Sequence, residues 1–242
     1  MAGANIIVKG ELIKKFFKGL IKVYDEAVFF FDNDGLKVRC VDPANVLMVI
    51  ATIPRDASEA YVVDGEVKVG VDLKRINEIL KIAGNKDNVE LTTDGEKITL
   101  RFRSIEYEIS AISPDAIREP PKIPELDLNA VAVVDGEEFK KAINFAEKVA
   151  DFITFVSDET GFYLECKGDV DAFKASLDTI EHNKENARSM YSLEYLKELV
   201  GILGKSSTVK VRLSNDCPTW LTFDIDGLIV EYILAPRIEE QY

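Results

Sequence analysis

The chain of 242 residues is poor in the side chains that carry out chemistry. Its one histidine, His182, lies in the polar stretch TIEHNKENARS, which reads as an exposed loop and sets aside histidine-based triads. Three cysteines, Cys40, Cys166 and Cys217, stand at no ligand spacing, so a disulfide framework or zinc site is not expected and a reducing, intracellular setting fits. There is no Walker-type glycine loop, no H-E-x-x-H and no pair of histidines. Asp32, Asp34 and Asp42 are acids that could hold magnesium, but the first two stand at a turn glycine and read as solvated loop acids. No apolar run approaches the roughly 18 residues of a membrane span, and MAGANIIVKG lacks the regions of a signal peptide. Positive charge is also scarce: 30 Lys and Arg face 43 Asp and Glu, a net charge of −13. An acidic chain of this kind repels polyanions unless its cations are segregated. No enzyme, cofactor or metal is therefore expected.

What is present is a repeat. Shifted by 126 positions, GELIKKFFKGLIKVYDEAVFFFDNDGLKVRC (from Gly10) overlies GEEFKKAINFAEKVADFITFVSDETGFYLEC (from Gly136), without a gap. Gly10 meets Gly136, Lys14 and Lys15 meet Lys140 and Lys141, and Cys40 meets Cys166. At an offset of 120, DLKRINEILKIAGNKDNVEL overlies SLEYLKELVGILGKSSTVKV, with Leu73 on Leu193 and Gly84 on Gly204. Runs such as AVFFFDNDGLKVRC, VELTTDGEKITLRF and STVKVRLS alternate as half-buried strands do, with turn residues between them. The expected fold is α+β: two tandem copies of one domain, each with two helices packed on antiparallel sheets. Pro114, Pro120, Pro121 and Pro124 exclude helix between the copies and favour an extended connector. The expected division is 1–116, a connector at 117–127, and 128–242. Cys40 and Cys166 read as small buried hydrophobes.

Helical periodicity separates the side chains. In the first helix Leu12, Ile13, Phe16, Phe17, Leu20, Val23 and Tyr24 fill one arc, and Lys14, Lys15, Lys18 and Lys22 fill the other. In the second, Leu73, Ile76, Leu80 and Ala83 point inward, with Lys74, Asn77 and Lys81 outward and Arg75 to one side. In the third, Phe139, Ala142, Ile143, Ala146 and Val149 face the core while Lys140, Lys141, Asn144 and Lys148 look away. The fourth mixes signs, Lys197 with Glu194 and Glu198, and Lys205 follows it. Lysines often decorate solvated faces. Such faces usually alternate signs to gain i,i+4 pairs, yet the first helix has only Glu11 as counter-charge. Basic faces repeated in both copies predict a polyanion surface, and lysine, a mobile point charge, would hold phosphates without reading bases.

The stretches LKIAGNKD, SSTVKVRLS, CVDPANV and EYILAPRIEE, with the duplicated domain and the connector, resemble the PCNA-type sliding clamps of archaea and eukaryotes, with a more archaeal cast. The resemblance implies a ring-forming trimer around duplex DNA, with helices inside and sheets outside. DNA-facing lysines would be Lys14, Lys15, Lys18, Lys74, Lys81, Lys140, Lys141 and Lys148, with Lys22 and Lys205 by position. Subunits would join by pairing of edge strands, EYEISAI with Tyr107, Ile109 and Ala111, and DAFKASL with Phe173, Ala175 and Leu177. A hydrophobic pocket for a short partner motif would be lined by Val41, Asn45, Val46, Ile123, Pro124, Pro218, Ile233, Ala235 and Pro236. Implied partners are double-stranded DNA, DNA polymerase, a clamp loader, flap endonuclease and DNA ligase, with no membrane. The implied setting is the cytoplasm, at the nucleoid. Two other readings are a subunit of a heteromeric or checkpoint-type clamp and an enzyme acting on a polyanion.

Overall fold

The computed structural model describes residues 3–21 and 23–238 of the chain. The chain divides into two compact units, one of Met1–Pro121 with Asp226–Val230, the other of Lys122–Ile225 with Glu231–Tyr242. The first contains β1 (Ala4–Lys9), α1 (Gly10–Leu20), β2 (Glu26–Asp32), β3 (Gly35–Val41), β4 (Leu47–Pro54), β5 (Ala60–Val63), β6 (Val67–Asp72), α2 (Leu73–Leu80), β7 (Asn88–Thr93), β8 (Lys97–Phe102) and β9 (Ile105–Ser110). The second repeats the order with β10 (Ala130–Asp135), α3 (Gly136–Ala146), β11 (Phe152–Asp158), β12 (Gly161–Lys167), β13 (Ala172–Leu177), β14 (Thr179–His182), β15 (Ala187–Ser192), α4 (Leu193–Leu199), β16 (Ser207–Leu213), β17 (Thr219–Ile225) and β18 (Leu228–Leu234), the first three residues of β18 being counted with the first unit. In the first unit the strands lie in the orders β5-β1-β7-β8-β9 and β6-β2-β3-β4; in the second, β14-β10-β16-β17-β18 and β15-β11-β12-β13. The ladders with given registers are antiparallel, for instance Phe29 opposite Val38 and Phe155 opposite Leu164.

Alternation decides which way each strand faces. In β2, Ala27, Phe29 and Phe31 are buried, and in β12, Phe162, Leu164 and Cys166. The helices lay aromatic rings on those faces: Phe16 and Phe17 of α1 meet Phe29 at 5.6 Å, and Phe139 of α3 meets Phe155 at 5.9 Å and Phe223 at 6.5 Å. Edge-to-face contacts of this kind add to the burial that holds helix on sheet. Asp32 closes the β2–β3 turn by accepting from the Asp34 and Gly35 amides (2.9 and 3.2 Å), and Asp158 repeats this at β11–β12 with Thr160 and Gly161 (2.7 and 3.3 Å).

The helices are shorter than the periodicity suggests. α1 stops at Leu20 and α2 at Leu80, so Tyr24, Lys81 and Ala83 lie past their helices, as do Lys148 and Val149 past α3. The proline stretch is not wholly extended either: Pro114–Ala116 makes one 3-10 turn, since proline is welcome in a first helical turn. His182 is also placed differently from the exposed loop expected of it. It ends β14, half-buried, with Nε2 2.9 Å from the hydroxyl of buried Ser157. That hydroxyl donates instead to the Glu185 carbonyl (2.8 Å), which leaves the pair structural rather than nucleophilic.

Candidate functional site

The lysines of the helix faces fall into three groups. Lys14 and Lys140 are half-buried staples. The Lys14 ammonium donates to the Ala83 carbonyl and to Asn85 Oδ1 (3.2 Å), and the Lys140 ammonium donates to the Leu203 carbonyl (2.8 Å). Each lysine thus ties the first helix of its unit to the carbonyls beyond the second, at equivalent places in the repeat. A second group is charge-paired: Lys15 with Glu11 (2.9 Å) and Asp226 (3.8 Å), Lys74 with Asp25 (2.8 Å), Lys81 with Glu78 (2.5 Å) and Lys141 with Glu137 (3.1 Å). Lys15 is half-buried, whereas the pairs of Lys74, Lys81 and Lys141 are exposed, and exposed pairs contribute little and exchange readily for other anions. The third group, Lys18, Lys148 and Lys205, is exposed. Lys22 lies outside the described residues. The acids are therefore closer to the lysines than the helical arcs alone imply, because Glu11 and Glu137 sit one turn before Lys15 and Lys141.

The candidate junction strands occupy matching positions. β9 and β13 are each six residues long and stand at the ends of their sheets. Other ends are blunted: β5 and β14 have four residues, the β10–β14 ladder shifts register after Val133, and β6 and β15 receive backbone bonds from Ile112 and Arg237. The Ala111 amide donates to the Glu96 carbonyl (2.8 Å), so odd-numbered residues of β9 turn their backbone toward β8. The N–H and C=O groups of Glu106, Glu108 and Ser110 consequently face outward. By the same parity Gly168, donating to the Asp171 carbonyl (2.9 Å), leaves those of Ala172, Lys174 and Ser176 facing outward from β13. Tyr107, Ile109, Phe173, Ala175 and Leu177 form half-buried apolar faces. Tyr107 accepts from Arg75 of α2 (3.0 Å), and Phe173 stacks on exposed Phe145 of α3 at 5.0 Å. Ala111 lies one residue beyond β9.

The residues proposed for a partner motif differ in exposure. In the first unit Val41 is buried, Val46 half-buried and Asn45 exposed, with a positive φ of 56° and an Oδ1 that accepts from Arg118 (3.2 Å). In the second, Ile233 is buried, Pro218, Ala235 and Pro236 are half-buried, and Ile123 and Pro124 are exposed.

The acids weighed as magnesium ligands are otherwise engaged. Asp32 and Asp34 take the Lys37 ammonium at 2.7 and 3.3 Å, and Asp42 Oδ1 accepts from the Val46 and Leu47 amides at 2.7 and 2.8 Å. Among the described residues no cluster of three or more His, Cys, Asp or Glu is arranged to hold a metal ion. Cys40 and Cys166 are buried, and burial pushes the Cys40 thiol up to about 12. The lysine staples and the Phe145–Phe173 stack escaped the sequence reading. The repeat held the only signal for the staples, the recurrence of Lys14 as Lys140.

A model of the family described as "Proliferating cell nuclear antigen, N-terminal domain" matches residues 3–112. The DNA polymerase sliding clamp of Archaeoglobus fulgidus is 44% identical over 98% of this chain and 99% of its own length. That of Methanothrix thermoacetophila is 37% identical over 97% of this chain and 98% of its own. Among solved structures, the one titled "C-terminal region of FEN-1 bound to A. fulgidus PCNA" superposes with a TM-score of 0.96 at 43% identity, covering 98% of this chain and 100% of that one. PCNA from Thermococcus kodakaraensis gives 0.87 at 26% identity, with 97% and 100% covered. The duplicated fold of helices on antiparallel sheets is thus shared with these relatives along 98% of the chain, which belongs to the proliferating cell nuclear antigen family of DNA polymerase sliding clamps.

Proposed function

We propose that the chain is a non-enzymatic processivity factor, a ring of three copies that encircles duplex DNA in the cytoplasm and tethers replication and repair proteins to it. A clamp loader opens the ring, and DNA polymerase, flap endonuclease and DNA ligase attach by a short apolar motif at the residues led by Ile233, Ala235 and Pro236. Exposed Lys18, Lys148 and Lys205, joined by the charge-paired Lys15, Lys74, Lys81 and Lys141, hold phosphates without reading sequence. Enclosure, not affinity, keeps the ring on DNA.

The observation that carries this reading is the matched pair of open edges, β9 and β13. Such edges aggregate unless they are paired, and a head-to-tail joint between unlike surfaces of identical copies closes into a ring when the rotation allows. When the outward backbone groups of the two strands meet antiparallel in the register that keeps most pairs, Lys174 falls opposite Glu108, with Glu106 one step away on the same strand. Tyr107 and Ile109 then adjoin Phe173 and Ala175. One chain carries both halves, which favours closure on itself over a need for unlike partners.

Light scattering on the purified chain tests this. The expected mass is that of three copies. Phe173→Asp dissociates the ring, and Lys174→Glu weakens it until Glu106→Lys and Glu108→Lys are added to the same chain. Lys148→Ala and Lys205→Ala leave the mass unchanged while lowering retention on DNA, and the salt slope falls by about 0.9 for each phosphate no longer neutralised. A chain that stays monomeric at micromolar concentration sinks the reading.

A further inference from the structure

Five Asp-Gly pairs occur in the chain, at Asp34, Asp64, Asp94, Asp135 and Asp226, and Asn-Gly does not occur. In such a pair the glycine amide nitrogen can attack the aspartate Cγ, because glycine has no Cβ to hinder the approach. The attack needs an amide and a carboxyl released from other bonds, and a backbone free to bring them together. Folding withholds this from four of the pairs. The Gly35 amide is spent on Asp32 Oδ1 (3.2 Å), and the Asp34 carboxylate faces Lys37 (3.3 Å). The Gly95 amide donates to Thr93 Oγ1 (3.0 Å), and Asp94 Oδ1 accepts from the Glu96 and Lys97 amides (2.9 and 2.8 Å). Asp135 Oδ1 caps α3 through the Glu138 amide (2.9 Å), and Gly136 is buried against Ser207. Asp226 and Gly227 make up the whole turn between β17 and β18, with Asp226 near Lys15 (3.8 Å) and Gly227 packed on Ala57.

Asp64 and Gly65 differ. They lie between β5 and β6, exposed together with Glu66. Gly65 has a φ of 75° and no atom within 4 Å of the place of a side chain. The Asp64 amide donates to the Gly3 carbonyl (3.0 Å) and so prolongs the β1–β5 ladder, which turns the next amide, that of Gly65, away from β1. Among the described residues neither that amide nor the Asp64 carboxylate has a hydrogen bond or ion pair. β5 ends one sheet and β6 ends another, so no ladder crosses the turn and its backbone can bend.

We propose that Asp64–Gly65 is a modification site, where the folded chain forms isoaspartate and becomes the substrate of a carboxyl methyltransferase that uses S-adenosylmethionine. The Gly65 nitrogen bonds to Asp64 Cγ, the C–OH bond of the carboxyl breaks, and the amide proton leaves with the hydroxyl as water. Water then reopens the imide. Addition at Cγ restores aspartate; addition at the main-chain carbonyl leaves the chain running through Cβ and Cγ, with a free α-carboxylate. The methyl group passes from the sulfonium to that carboxylate, giving an ester and S-adenosylhomocysteine. The Gly65 nitrogen expels methanol from the ester, the imide forms again, and its hydrolysis returns part of the chain to aspartate.

The full chain is aged for weeks at neutral pH, one sample folded and one in guanidinium chloride. Both are digested with trypsin, which puts each Asp-Gly pair in its own peptide, and tagged with an isoaspartate methyltransferase and labelled S-adenosylmethionine. The folded sample should carry its label in the Asp64 peptide, and the unfolded sample in all five. Asp64→Glu, which keeps the charge but cannot close a five-membered imide, should remove the label from that peptide without altering the rest. Label spread over the five peptides of the folded sample overturns the proposal, as does label led by another pair. Absence of label from the folded sample, or its persistence in the Asp64→Glu chain, overturns it equally.

Discussion

The joint between the two helices is built twice in this chain, its loop held by a carboxylate in the first unit and by a hydroxyl in the second. In both, the first helix begins at a glycine pressed against the loop after the second helix. In the first unit that loop is held by Asp87, which accepts from the Gly84 amide (2.6 Å) and pairs with Arg103 (2.7 Å). α1 has no capping side chain, and its leading amides donate to the Asp87 and Asn85 carbonyls (2.8 and 2.9 Å). In the second unit Ser207 stands in for Asp87, bonding both the amide and the carbonyl of Gly204 (3.0 and 2.6 Å), and Asp135 caps α3 through the Glu138 amide (2.9 Å). Backbone geometry persists while the polar groups that satisfy it change, because the buried N–H and C=O groups need partners but not particular ones. The common element is the glycine with its lysine.

Substituting the glycines breaks the comparison most severely. A methyl on Gly10 would collide with the Gly84 carbonyl, which is backbone on both sides, whereas on Gly136 it would first meet the Ser207 hydroxyl. Gly10→Ala and Gly136→Ala should each cost roughly 1–3 kcal/mol in urea unfolding. Only Gly136→Ala should be partly rescued by Ser207→Gly, the Ser207 carbonyl still being close. Equal rescue in both units would mean that the joints are not built differently. Next in size are Lys14→Met and Lys140→Met, each leaving a carbonyl without its charged donor at about 1 kcal/mol. Both should lower the urea midpoint, while Lys148→Ala leaves it in place and alters only DNA retention. If the staple variants unfold like the parent chain, Lys14 and Lys140 rejoin the phosphate-holding lysines.

The duplicated fold was legible because strands and helices write their periods into the apolar positions. Phe29 and Phe155, or Ile13 and Phe139, recur at the same step in both copies. The open edges were legible only through the family resemblance, since nothing in EYEISAI distinguishes a last strand from an inner one. Backbone parity, which turns Glu106 and Lys174 outward, depends on ladder register, and register is not written in one strand. The staples were misread for a related reason. A helical wheel sorts Lys14 as outward, but its four-carbon stem lets the ammonium return to the Ala83 carbonyl. His182 was misplaced because a polar neighbourhood in sequence hid a strand end lying over Ser157.

The smallest effect separates the two β-turns that open the repeated hairpins. At Asp158 the Thr160 hydroxyl, then the Tyr163 phenol and the Thr160 amide, donate to the carboxylate and hold it at about 2. At Asp32 partial burial alone would raise the carboxyl, but the Lys37 ammonium and the turn amides bring it below its ordinary value. Each group is depressed in the folded chain, so its stabilisation is complete above the ordinary carboxylate range near 3.8 and fades as pH falls through the folded value. For Asp158 the window runs from about 4 down to about 2. Asp158→Asn should therefore lower the urea midpoint slightly at neutral pH, and its curve should converge on that of the parent chain across that window. Lys37 also ties Asp32 to an ammonium that salt can screen. Added salt should thus shrink the effect of Asp32→Asn and leave that of Asp158→Asn, whose partners are neutral, unchanged. If salt acted equally on both, the difference between a charge-held and a hydroxyl-held turn would have no energetic meaning.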